Sequence, residues 1–163
     1  GMSMSSAFTM APLADNFGVE LTGIDLVTCG REVHREVVDT FDRHGVMVIR
    51  DQMLSPDDQI AFTRAFGEPE SNGRAEYTYP GRPEIYVISN KVVDGRKIGD
   101  PTAGQGWHTD SSYLAEPVKC TMLYAMEVPA EGSDTMLADL CAAWNALTPE
   151  RQRDLEPLQV HHS

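Results

Sequence analysis

Hydrophobic and polar positions change rhythm several times along this chain. Residues 17–27 read as short strands turning around Gly23. From Arg31 to His44, Val33, Val37, Val38 and Phe41 recur at helical spacing, and Gly45 is placed to stop the helix, because glycine enters the left-handed cap without a Cβ penalty. Val46 to Arg50 is a compact, β-branched run that predicts a buried strand. Ser55-Pro56-Asp57-Asp58 opens a second helix with a serine cap, a first-turn proline and acids beside the positive end of the helix. That helix is expected to reach about Phe66, before Gly67.

Residues 68–84, rich in glycine, proline and polar groups, read as a loop carrying Tyr77 and Tyr79. Ile85 to Ser89 predicts a strand with Asn90 at its end. Residues 91–106 have no periodicity and contain Gly95, Gly99, Gly104 and Gly106, and loops this long are more often functional lids than connectors. Val118, Cys120, Met122, Tyr124 and Met126 alternate with Lys119, Thr121, Leu123 and Ala125, as in a strand with two distinct faces. Residues 129–134 predict a turn and 135–138 a short strand. Leu140, Ala143, Trp144 and Leu147 form one helical stripe, and Thr148-Pro149-Glu150 caps a further helix that Pro157 ends. Strands should dominate the second half with helices flanking them. The expected class is mainly β with flanking helices, as a sandwich or barrel. No repeat or composition break divides the chain, so residues 1–163 are expected to be a single domain.

Charge narrows the field of partners. Lys and Arg number 13 against 25 Asp and Glu, a net charge of −12, which argues against a phosphate-backbone partner. Cys29, Cys120 and Cys141 are scattered without C-x-x-C spacing, which favours a reduced, cytoplasmic setting. No apolar run approaches membrane-spanning length, and the first residues lack the form of a signal peptide. Gly1 ahead of Met2 reads as a residue left by tag removal.

The long glycine-containing stretch delivers the chain to Trp107-His108-Thr109-Asp110, followed by Ser111-Ser112-Tyr113. On extended backbone His108 and Asp110 share a face, and imidazole and carboxylate could reach one metal ion together. Such a pair supplies part of the 2-His-1-carboxylate triad that holds non-haem Fe(II). The alternative for so short a motif is a strand end with two polar residues in solvent.

The neighbouring residues carry a resemblance. Met122-Leu123-Tyr124-Ala125, Val128-Pro129 and Gly132-Ser133-Asp134-Thr135 follow the motif, and Gly23-Ile24-Asp25-Leu26, His44-Gly45-Val46, Phe66-Gly67-Glu68, Ile88-Ser89-Asn90 and Ala142-Ala143-Trp144 lie around it in order. Together they resemble the TauD/TfdA family of Fe(II)- and α-ketoglutarate-dependent dioxygenases, whose fold is a double-stranded β-helix, a jelly-roll, cupin-like barrel. The resemblance implies that His108 and Asp110 are metal ligands, that Thr135 binds a carboxylate of α-ketoglutarate, and that Ser111 and Tyr113 line the substrate pocket. Trp107 and Tyr124 would serve as walls of the site, or else as ordinary core aromatics. Ser133 replaces the usual second glycine, acceptable to a turn if its φ is not positive.

The implied reaction oxidises a small organic acid with O₂, of the taurine or aryloxyalkanoate type, releasing succinate and CO₂. Ser111-Ser112-Tyr113 and Ile88-Ser89-Asn90 look closer to the chlorophenoxyacetate-degrading branch than to the taurine branch. The family also needs a second histidine well downstream and an arginine for the distal carboxylate of α-ketoglutarate. The chain ends at Ser163, Arg153 is its last arginine, and His161 and His162 stand where the family's histidine is not the distal ligand. The barrel is therefore expected to be incomplete at its C-terminus, with its open edges buried by a second copy of the chain in a homo-oligomer. A catalytically inactive, truncated fragment acting as a binding or oligomerising module is the alternative. A zinc hydrolase finds no H-E-x-x-H or cysteine-rich spacing to support it.

Overall fold

The structure is a computed structural model describing residues 3–4, 7–71 and 73–162. It divides into two compact units, one of Gly1–Thr109 with Lys119–Met122, the other of Asp110–Val118 with Leu123–Ser163.

The first unit runs β1 (Ser3–Met4), β2 (Thr9–Ala14), β3 (Phe17–Thr22), α1 (Arg31–His44), β4 (Met47–Ile49) and α2 (Pro56–Thr63). A 3-10 turn at Ala75–Tyr77 then leads to β5 (Thr78–Tyr79), β6 (Arg82–Tyr86), β7 (Val92–Val93) and β8 (Arg96–Lys97). The main sheet has the order β1-β2-β3-β4, antiparallel except for the β3–β4 pair, which is parallel because α1 carries the chain back across. Val19 and Leu21 alternate with Glu20 along β3 and so share its buried face. They meet Phe8, Ile24, Leu26, Val37 of α1 and Phe62 of α2 in one hydrophobic core. Thr40 is buried beside Val37 and its hydroxyl donates to the Glu36 carbonyl at 2.7 Å, so no polar group is stranded there.

The local signals hold. α1 has the expected bounds, and Gly45 caps it with φ 72°, its N–H donating to the Phe41 carbonyl at 2.7 Å. Ser55 and Asp58 form a reciprocal capping box on α2, which ends at Thr63 rather than near Phe66. β4 is shorter than the predicted 46–50 strand and only half-buried, since it lies at the sheet edge. β2 had no counterpart in the predicted elements; Asn16, at φ 58°, turns it into β3. The predicted 68–84 loop contains the β5–β6 hairpin, and β6 stands nearer the N-terminus than the expected 85–89 strand. The 91–106 stretch contains the β7–β8 hairpin, turning through Asp94 and Gly95 at φ 50° and 76°.

The second unit contains α3 (Leu140–Asn145), capped by Asp139, and α4 (Pro149–Leu155), capped by Thr148. Strands do not dominate the second half: among the described residues beyond Asp100 none is in a strand. In 118–126 the two-faced pattern survives as burial, with Val118, Cys120, Met122 and Tyr124 half-buried and the residues between them exposed. A strand also needs a neighbour for its N–H and C=O groups, and no described ladder includes 118–126 or 135–138. Among the described residues, no helix is long and apolar enough to cross a membrane.

Candidate metal centre

The approach to His108 starts from a buried acid. Asp100 is only 6% exposed, and its Oδ1 accepts from the Thr102 N–H at 2.9 Å and the Thr102 hydroxyl at 3.1 Å. Its Oδ2 accepts from the Tyr86 hydroxyl at 2.6 Å and faces the Arg74 guanidinium at 3.5 Å. The Tyr86 hydroxyl, then the Thr102 donors and Arg74, hold the Asp100 carboxyl below the usual carboxylate range despite its burial. Burial and the bond to Asp100 push the Tyr86 phenol up. Asp-Pro-Thr is a turn signal that sequence reasoning left unused.

Beyond Thr102 the chain passes through Gly104 and Gly106, both at φ 78°. The Gly106 carbonyl lies 2.9 Å from His108 Nδ1. A carbonyl only accepts, so this contact is a hydrogen bond when Nδ1 carries a proton, an arrangement that leaves Nε2 as the nitrogen to meet a metal. Metal-bound histidines are held in the same way, with one ring N–H on a backbone carbonyl and the other nitrogen turned to the ion.

The boundary between the two units falls between Thr109 and Asp110, inside the motif. The expected extended geometry is not found. Residues 107–109 belong to no strand, Asp110 begins a turn, and Ser111 has φ 55° with its carbonyl accepting from the Leu114 N–H at 3.0 Å. Alternation of side chains along a strand is therefore no ground for putting His108 and Asp110 on one face. A left-handed serine costs about 1–2 kcal/mol over ordinary backbone.

The other predicted site residues are spread out. Ser111 is half-buried, and Tyr113 is 73% exposed. The neighbouring Ser112 hydroxyl stands 3.4 Å from His162 Nδ1. Thr135 is exposed in the irregular run 132–139, and Ser133 has φ 57°, so the condition under which a turn would readily accept serine there is not met. Trp107, 69% exposed, is not a core aromatic, whereas Tyr124 is half-buried. Among the described residues, no three His, Cys, Asp or Glu side chains gather as a metal site. The donor types of His108 and Asp110, an imidazole and a carboxylate, fit a divalent iron.

The chain is similar to known proteins of one family. Residues 9–163 match the family described as taurine catabolism dioxygenase TauD, TfdA family. The chain is 36% identical over 162 residues to the alpha-ketoglutarate-dependent 2,4-dichlorophenoxyacetate dioxygenase of Cupriavidus pinatubonensis, covering 93% of this chain and 56% of that protein. It is 32% identical over 169 residues to the (S)-phenoxypropionate/alpha-ketoglutarate-dioxygenase of Sphingobium herbicidovorans, covering 98% of this chain and 55% of the relative. Among solved structures, AAD-2 in complex with Mn(II) and N-oxalylglycine superposes with a TM-score of 0.65 at 26% identity, over 92% of this chain and 50% of that one. A protein of Burkholderia xenovorans gives 0.72 at 24% identity, over 92% and 51%, a likeness of fold alone. The chain spans about half the length of the relatives it matches.

Proposed function

Because this chain belongs to the TauD/TfdA family, we propose that it carries the metal-binding part of an Fe(II)- and α-ketoglutarate-dependent dioxygenase of small organic acids. In this reading residues 1–163 are one domain, the N-terminal portion of a double-stranded β-helix, and the protein works in the cytoplasm. When bound with α-ketoglutarate and O₂, the iron supplies oxidation of a substrate C–H bond, with release of succinate and CO₂. His108 Nε2 and the Asp110 carboxylate hold the metal. The contact of His108 Nδ1 with the Gly106 carbonyl at 2.9 Å is the observation that supports the assignment, because that carbonyl favours the tautomer a ligand needs. The Thr135 hydroxyl donates to a carboxylate of α-ketoglutarate, while Ser111 and Tyr113 face the organic acid. The relatives that act on chlorophenoxyacetate and phenoxypropionate make an aryloxyalkanoate the first substrate to try.

A second reading is a catalytically inactive fragment that binds ligands or associates into a homo-oligomer. It is favoured by the lack, among the described residues, of a third side chain gathered with the pair. Succinate release with 2,4-dichlorophenoxyacetate, measured with and without Fe(II) and α-ketoglutarate, separates the two. The first reading expects release that needs both and disappears in His108→Ala. Unchanged activity in His108→Ala would remove the ligand assignment. No release, with Mn(II) binding that His108→Ala weakens, would establish the second reading.

A further inference from the structure

We propose that Gly99 and Asp100 form a clasp that positions His108, so that Asp100 is a positioning residue for the metal centre; this rests on His108 being a ligand. The clasp is made by backbone and side chain together. The Asp100 N–H donates to the Val87 carbonyl at 2.9 Å, and the Ser89 N–H donates to the Asp100 carbonyl at 3.2 Å, giving the single parallel bridge between Ile88 and Asp100. A Cβ on Gly99 would stand 2.8 Å from both the Ser89 nitrogen and the Val87 oxygen. The chain is pressed there too closely for any side chain, a separate sign that this point is pinned.

The Asp100 carboxylate then ties in three further elements. Tyr86 reaches it from the end of β6, Thr102 from the departing chain, and Arg74 from the turn before β5. Arg74 also lies over the Tyr77 ring at 4.7 Å, and Tyr77 meets Tyr86 edge-on at 6.0 Å. None of these residues belongs to the hydrophobic core, so closing that core does not explain a buried acid here. Such an acid is costly unless satisfied, and this one is satisfied by groups that fix a direction. Thr102 bonds it with both backbone and hydroxyl, which aims the outgoing chain. From there to His108 the backbone turns through two left-handed glycines, so where the imidazole arrives depends on how the upstream end is held.

The test reads the metal-free chain, labelled with ¹⁵N-histidine. Wild type should show His108 as the Nδ1–H tautomer. Asp100→Asn keeps an oxygen for Thr102 but gives up the charge facing Arg74. It should move His108 toward the Nε2–H tautomer, speed amide exchange at 106–109 about tenfold or more, and leave exchange in β2 and β3 unchanged. Mn(II) affinity should fall about 10- to 100-fold, as for loss of other groups that orient a ligand. Tyr86→Phe, a milder change that removes only the hydroxyl, should move the same signals less, and Gly99→Ala should move them by sterics. Histidine signals identical to wild type in all three variants would overturn the clasp. So would faster exchange confined to 87–102, or spread equally into β2 and β3, since either marks a merely structural role. Failure of the metal assignment is reported separately, by activity persisting in His108→Ala.

Discussion

The two units use similar apolar residues to opposite effect. In the first, Leu21 and Val37 are fully buried, and Phe8, Val19, Ile24, Leu26 and Phe62 close around them. In the second, no described residue is buried, and Leu123, Met126, Val128, Met136, Leu137 and Val160 are exposed. Apolar periodicity is a local property of sequence, whereas burial is collective. β3 has β2 and β4 beside it and two helices over it. The alternating run at 118–126, of which Lys119–Met122 belongs to the first unit, has no ladder partner among the described residues, and its pattern yields half-burial without a strand.

The contrast can be broken most sharply at Leu21. Leu21→Ala should cost about 3 kcal/mol, read as a lower urea midpoint, because the fully buried site keeps a cavity. Acid should act next, and again through the first unit. Arg82 holds the Asp57 carboxyl below its usual range, and Tyr86 does the same for Asp100. Each contributes stability fully present above the unfolded carboxylate pKa of about 3.9 and lost as pH falls through the lower folded value. The raised Tyr86 phenol contributes below its unfolded pKa of about 10, and that part is lost as pH rises through the folded value. Thermal melts should therefore show Tm falling below about pH 4, less steeply in Asp100→Asn. The smallest effect is expected in the second unit, where Leu137→Ser should change stability by no more than about 0.5 kcal/mol. A cost there like that of Leu21→Ala would abolish the contrast.

What could be read in the sequence was what neighbours in the chain decide. The Gly45 stop and the Ser55–Asp58 box depend on a few adjacent residues, and both stand where their chemistry put them. β5, the start of β6 and the β7–β8 hairpin fall in stretches expected as loop, because the glycines and prolines that mark loops also build tight turns. The strands expected at 118–126 and 135–138 required partners distant in the chain, and periodicity carries no information about those. At the candidate site the sequence supplied His108 and Asp110 as chemistry but not as geometry. Ser111 at φ 55° turns the backbone immediately after the acid, at a residue type that gives little warning of it. Asp100 was missed because a lone acid looks solvent-exposed until Tyr86, Arg74 and Thr102 are brought to it.

The chain leaves the first unit after Thr109, re-enters it for Lys119–Met122, and leaves again. Residues 110–118 are thus joined at both ends to residues of the first unit, at Thr109 and at Lys119. The entropy of closing a flexible loop grows only logarithmically, by about 0.6 kcal/mol for each doubling of its length. The segment bearing Asp110, Ser111 and Tyr113 could therefore lengthen or shorten greatly for little loss of stability, while the core of β3 and α1 stayed as it is. Such a scaffold lets the segment between the two junctions be re-cut without redesigning the body that holds it.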